Sequence, residues 1–174
     1  MTHSGINAYL TLHIAQILMR SGEKRYYALV QRVAELASPT GQWPEAIHPQ
    51  TGGGCMGDGQ HVWAAAEWIM IIRNGFVREE PDCLVIGVGI CDEWLSNQQT
   101  LYFGPAPTTF GDITISIIPL PSNKHVVSTQ HRISWQGKWH DNKPAIEVRL
   151  PGRATLFPKP GEASVLCDTQ CNAK

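Results

Sequence analysis

Gln42-Trp43-Pro44-Glu45-Ala46-Ile47-His48-Pro49-Gln50-Thr51-Gly52-Gly53-Gly54-Cys55-Met56-Gly57-Asp58-Gly59-Gln60-His61 is the stretch on which the fold of this chain turns. It gathers two acids, two histidines and an indole, and five of its residues are glycines, which bring backbone close to a ligand without a side chain in the way. The run after it, from His61 to Arg73, is rich in helix formers and apolar on nearly every side. A helix without a solvent face belongs inside something. The stretch therefore reads as an active loop set on a buried helix.

Upstream, Asn7 to Arg20 has helical spacing, with Leu10, Ile14, Ile17 and Leu18 one or two turns apart and Ser4 or Asn7 as a cap. Ser21-Gly22 breaks it. Glu23 to Ala37 forms a second helix with a charged outer face, and Ser38-Pro39 ends it. The third helix runs roughly from Gln60 to Gly75, with Asp58 as its N-cap. Helices one and three are nearly free of charge, whereas helix two faces water. Short connections make consecutive helices antiparallel, so helices one and three run the same way. Their common starting end would gather His3, Ser4 and Asn7 beside Glu45, His48 and Asp58. Such buried–exposed–buried alternation is what a two-layer ring of helical hairpins requires.

Downstream of Glu79-Glu80-Pro81 the period changes. Cys83 to Gly89 is a continuous apolar strand, while Ile113 to Ile117 and Ile146 to Leu150 alternate strictly. His125 to Trp135 and Leu101 to Phe103 are further strands. The fold class is α+β, with a helical segment over 1–80, a small antiparallel β domain over 81–152 and a loosely held tail over 153–174.

Composition excludes several functions. The 174 residues carry 14 basic and 15 acidic side chains without a basic run, which leaves nucleic acid no electrostatic footprint. The longest apolar stretch is one helix long and includes Glu67 and Arg73, so no membrane span is expected. Met1 to Gly5 lacks a basic n-region before an apolar core, so no signal peptide is expected. The odd count of five cysteines suits a reducing cytosol, and a cytoplasmic protein is expected.

The candidate residues each have a structural reading as well. Glu45 is a loop glutamate that could simply face water, but Trp43 offers a stacking wall beside it and Pro44 stiffens its backbone. Glu67, between Trp63 and Trp68, reads first as a half-buried carboxylate paired with a histidine or arginine. Asp58 reads first as a helix cap. Gly52, Gly54 and Gly57 spell Gly-x-Gly-x-x-Gly, but the run before them holds two prolines where a strand is needed, and the acids Glu79 and Glu80 come before the next strand rather than at its end, so no dinucleotide is expected. His48, Cys55 and His61 fit no zinc spacing, and Cys55 with His61 makes a weak nucleophile pair. No cofactor and no metal are called for.

Trp43-Pro44-Glu45, then Thr51-Gly52, a glycine-rich turn, and the helix with Trp63-Ala64-Ala65-Ala66-Glu67-Trp68 resemble the end of the α/α-toroid glycosidases. The likeness is to bacterial relatives of glucoamylases and glycogen-debranching enzymes, and it covers about residues 2 to 151. The resemblance implies a three-helix segment of an (α/α) toroid, with Glu45 matching the general base. It places Trp43 near a sugar subsite, with His48, Trp63, His3 and Asn7 as substrate-binding residues. His3 to Asn7 is similar to a toroid loop, and the strand with Cys91-Asp92-Glu93-Trp94-Leu95 to the family's β appendage. A complete toroid has about twelve helices, so this chain corresponds to a C-terminal quarter. Inverting hydrolysis needs a second carboxyl group about 6.5–9.5 Å from the first. Only Asp58 and Glu67 can be nominated, so the chain is expected to be inactive alone. The alternative is a non-catalytic module that binds carbohydrate or a protein through the inner-helix surface. Apolar residues on more than one side of helix three imply a partner, either a second copy in a homodimer or the missing half of the toroid.

Overall fold

Leu12 and Met19 anchor the first helix, α1 (Ala8–Arg20), by the face that also carries Ala8 and Ala15; all four are buried. Asn7 takes extended backbone at its start. Its end is a Schellman turn. Glu23 N–H reaches the Leu18 carbonyl at 2.9 Å and Gly22 N–H the Met19 carbonyl at 3.2 Å, with Gly22 in the left-handed region (φ 79°) that a side chain would resist. The turn reverses the chain into α2 (Arg25–Glu35), which buries Tyr26 and Val33 and exposes Arg25, Gln31, Arg32 and Glu35. In this computed structural model the described residues are 5–121 and 130–168, and the chain divides into two compact units, Met1–Arg73 and Asn74–Lys174.

The glycine stretch of the first unit contains a short hairpin that periodicity did not reveal. β1 (Ala46–Ile47) pairs with β2 (Gly54–Met56), Ala46 opposite Met56 and Ile47 opposite Gly54. Ile6 adds to its other edge through reciprocal 2.9 Å bonds with Ile47. α3 (Val62–Phe76) follows. Its start is not capped by Asp58 as the sequence implied. His61 supplies the carbonyl that accepts Ala65 N–H at 3.2 Å, while Asp58 Oδ1 accepts Gln60 N–H at 2.9 Å and closes the turn before the helix.

In the second unit one sheet has the order β3 (Val77–Glu79), β4 (Cys83–Ile86), β8 (Ala145–Val148). The other has the order β5 (Leu101–Ala106), β6 (Gly111–Pro119), β7 (Gln130–Trp139), β9 (Ser164–Asp168). The expected purely antiparallel domain is corrected in one place, because β4 and β8 pair parallel, Leu84 beside Ile146 and Ile86 beside Val148. A strand in the middle of its sheet can be apolar throughout, and Leu84, Val85 and Ile86 are fully buried. β6 shows the opposite pattern: Ile113, Ile115 and Ile117 point inward, and Thr114 and Ser116 lie outward. The strand expected at Cys91–Leu95 is instead one turn of helix, α4 (Asp92–Ser96). Asp92 and Glu93 sit in its first turn, where acids suit the helix dipole, and only Leu95 turns inward. The segment expected as a loose tail carries β9, because Cys167 turns inward opposite His131 of β7. Of the strand expected over His125 to Trp135, residues 125–129 lie outside the described residues. Among those described, no helix is long and apolar enough to cross a membrane.

Candidate functional site

Two cross-helix contacts define how α1 lies against α3. The Tyr9 ring sits 4.6 Å from the Trp63 ring, and one turn further along both helices His13 Nε2 lies 2.8 Å from Glu67 Oε1. Sequence number rises together on the two helices, so they run in the same direction. Their N-terminal ends meet the hairpin: Asn7 Nδ2 donates to the Glu45 carbonyl oxygen at 2.8 Å. The Ile6–Ile47 bridge makes this possible, because it fixes the lead into α1 beside the strand that Glu45 precedes. Asn7 and Glu45 thus share one end of the α1/α3 pair, while His3 lies outside the described residues.

Glu45 is half-buried, and its carboxylate has no hydrogen bond or ion pair among the described residues. Gly57 closes over its backbone. A Cβ on Gly57, which has a φ of 79°, would sit 3.0 Å from both the Cβ and the N of Glu45, so a side chain there would push the turn off the glutamate. Trp43 does not stand beside it as a wall. It is 3 % exposed, donates from Nε1 to the Val33 carbonyl at 2.8 Å and packs 5.4 Å from Trp68. The indole is a tether between α2 and the loop, with no open face for a sugar. His48 is likewise engaged: its Nδ1 accepts the N–H groups of Gln50 and Thr51 at 3.3 Å and shapes the turn between β1 and β2.

The other two acids are committed as well. Glu67 receives His13 on one oxygen and Gln16 Nε2, at 2.9 Å, on the other. This is the paired carboxylate that the helix context implied, and the packing supplies His13 as its partner. His13 was not singled out from sequence, since a lone histidine on an apolar helix carries no signal until its neighbour is known. Around the pair, Trp63 is half exposed and the His61 ring lies 5.0 Å from Tyr9. The result is an aromatic and imidazole cluster able to stack a flat or ring-shaped ligand and offer it one oriented imidazole. Asp58 lines a cleft of about 540 Å³ with Ser38, Gln42, Pro44 and the glycine turns, and it is the only charged side chain there.

The second unit hides a pair that the sequence did not reveal. His131 is 1 % exposed, directly across from the buried Cys167 in the β7–β9 register. Among the described residues neither ring nitrogen finds a hydrogen bond of good geometry. Burial pushes the imidazole pKa down, the Leu95 backbone draws it partly back up, and the Arg153 charge lowers it further. Burial pushes the Cys167 thiol up against the lowering effect of Arg153. Both groups are therefore held neutral, which is the opposite of a thiolate–imidazolium nucleophile. Among the described residues no group of three His, Cys, Asp or Glu side chains could hold a metal ion. No protein-family model matches this chain, and no curated protein or solved structure matches it either.

Proposed function

We propose that this chain is a relative of the α/α-toroid glycosidases, carrying the general-base end of such a catalytic ring and inactive as a hydrolase on its own. The observation that supports the reading is the parallel pairing of α1 and α3 with an unengaged Glu45 at their shared N-terminal end. In a toroid of helical hairpins the inner helices run alike, and their loops present the catalytic carboxylates at one end. Glu45 would act there as general base on a water molecule. Protonation of the leaving oxygen needs a second carboxyl group about 6.5–9.5 Å away. Glu67 is engaged on both oxygens by His13 and Gln16, and one oxygen of Asp58 closes the turn with the Gln60 amide, so each has a structural role.

A second reading, a non-catalytic module for carbohydrate, is favoured by Trp63. It is half exposed and backed by Tyr9, as a sugar-stacking platform would be. Assays of the isolated chain separate the readings. The expected result is no turnover of maltose, isomaltose or aryl glycosides. Turnover that disappears in Glu45→Gln would overturn inactivity and make the chain a complete enzyme. Oligosaccharide binding that quenches indole fluorescence, and is lost in Trp63→Ala, would favour the second reading.

A further inference from the structure

α1 and α3 leave large aliphatic side chains in water on one side of their seam. Leu10, Ile14 and Ile17 of α1 are 46, 54 and 68 % exposed, and Val62, Ile69 and Met70 of α3 are 79, 66 and 40 % exposed. At 3.6 residues per turn, the α1 set lies about a quarter turn from Tyr9, His13 and Gln16, the residues that meet α3. The α3 set lies in the opposite sense from Glu67, Met70 by about 60° and Val62 and Ile69 by about 140–160°. With the helices parallel, both sets point to the same side of the layer. Trp63, also half exposed, sits between them at the seam.

We infer that this α1/α3 face is the contact surface of a homodimer, covered by the same face of a second copy about a two-fold axis. The inference stands on the face alone and does not depend on kinship with glycosidases. Three features favour a second copy over another partner. Seven large apolar side chains, Leu10, Ile14, Ile17, Val62, Trp63, Ile69 and Met70, are exposed here, enough to form the apolar centre of a standard interface of about 800 Å² per partner. The polar groups at the centre of the face, His13 and Glu67, are already bonded to each other, so the face is otherwise apolar and suits an equally apolar partner surface. Parallel α1 and α3 also add their dipoles, and a two-fold axis perpendicular to the helices sets the second layer antiparallel to the first, which opposes them. The product is a four-helix packing with the two Trp63 side chains toward its opposite ends.

Sedimentation at micromolar concentration tests this directly. The wild-type chain should show a mass about twice 19.2 kDa. Ile14→Glu on α1 and Ile69→Glu on α3 should each raise the dimer dissociation constant at least about 30-fold. Both positions are more than half exposed, so neither change opens the core, and circular dichroism checks that helix content is kept. Ala28→Glu, on the exposed face of α2, should leave the mass unchanged. A wild-type species of 19.2 kDa with no larger one would overturn the proposal. So would a dimer that survives both glutamate substitutions, since its contact would then lie elsewhere.

Discussion

The two units of this chain bury apolar surface in opposite ways. In β6 and β7 most of the large side chains are inside: Ile113, Ile115, Ile117 and Ile133 are fully buried, and the outward positions of β6 hold Asp112, Thr114 and Ser116, with Ile118 exposed near its end. In α1 two of the buried positions are alanines, Ala8 and Ala15, while Leu10, Ile14 and Ile17 face water. Strand alternation gives each residue one side or the other, so the sheet satisfies its pattern within its own unit. The helices present apolar residues around more of their circumference than α2 and the hairpin cover. The β6–β7 pair hides most of its large side chains, whereas α1 and α3 leave six aliphatic ones exposed.

Paired truncations are the strongest way to break that contrast. Ile115→Ala should cost about 2–5 kcal/mol in urea unfolding, because it removes a fully buried side chain and leaves a cavity. Ile14→Ala, measured where the chain is dilute enough to be monomeric, should stay within about 0.5 kcal/mol. Equal costs would mean that the exposed helix face is covered within the monomer, and the comparison would fail.

Acid gives a smaller test of the second unit. The His131 pKa is lowered by burial, and the groups around the ring are Cys167 opposite, the Leu95 backbone and Arg153, itself paired with Asp92. The unfolded chain therefore takes up this proton first as pH falls. The contribution of neutral His131 is full above about pH 6.5 and is lost as pH drops toward the folded pKa, with a slope of at most about 1.4 kcal/mol per pH unit. His131→Leu should flatten that part of the stability–pH curve. An unchanged curve would show that His131 does not titrate on unfolding in this range.

Where residues speak through a local period, they were legible in the sequence. Asn7 to Arg20 announces α1, and the alternation of Ile113, Ile115 and Ile117 announces β6. What failed to show is non-local or too short. One turn of helix at Asp92–Ser96 has no period to display, and the parallel pairing of β4 with β8 joins residues about sixty apart in sequence. Three adjacent glycines hid the β1–β2 hairpin. Trp43 looked like an exposed loop aromatic because its partner, the Val33 carbonyl, belongs to another helix. The carboxylate pair at Glu67 was legible in kind, since an acid on an apolar helix needs a partner, but His13 became that partner only when α1 packed on α3.

The shared direction of α1 and α3 underlies both the placement of Glu45 and the apolar face. Nuclear Overhauser contacts between side chains measure it most directly. The Tyr9 ring should show cross-peaks to the Trp63 ring, and His13 to Glu67, with none between Tyr9 and Met70. Cross-peaks pairing Tyr9 with Met70 and His13 with Ala66 or Val62 would reverse α3 and contradict the account.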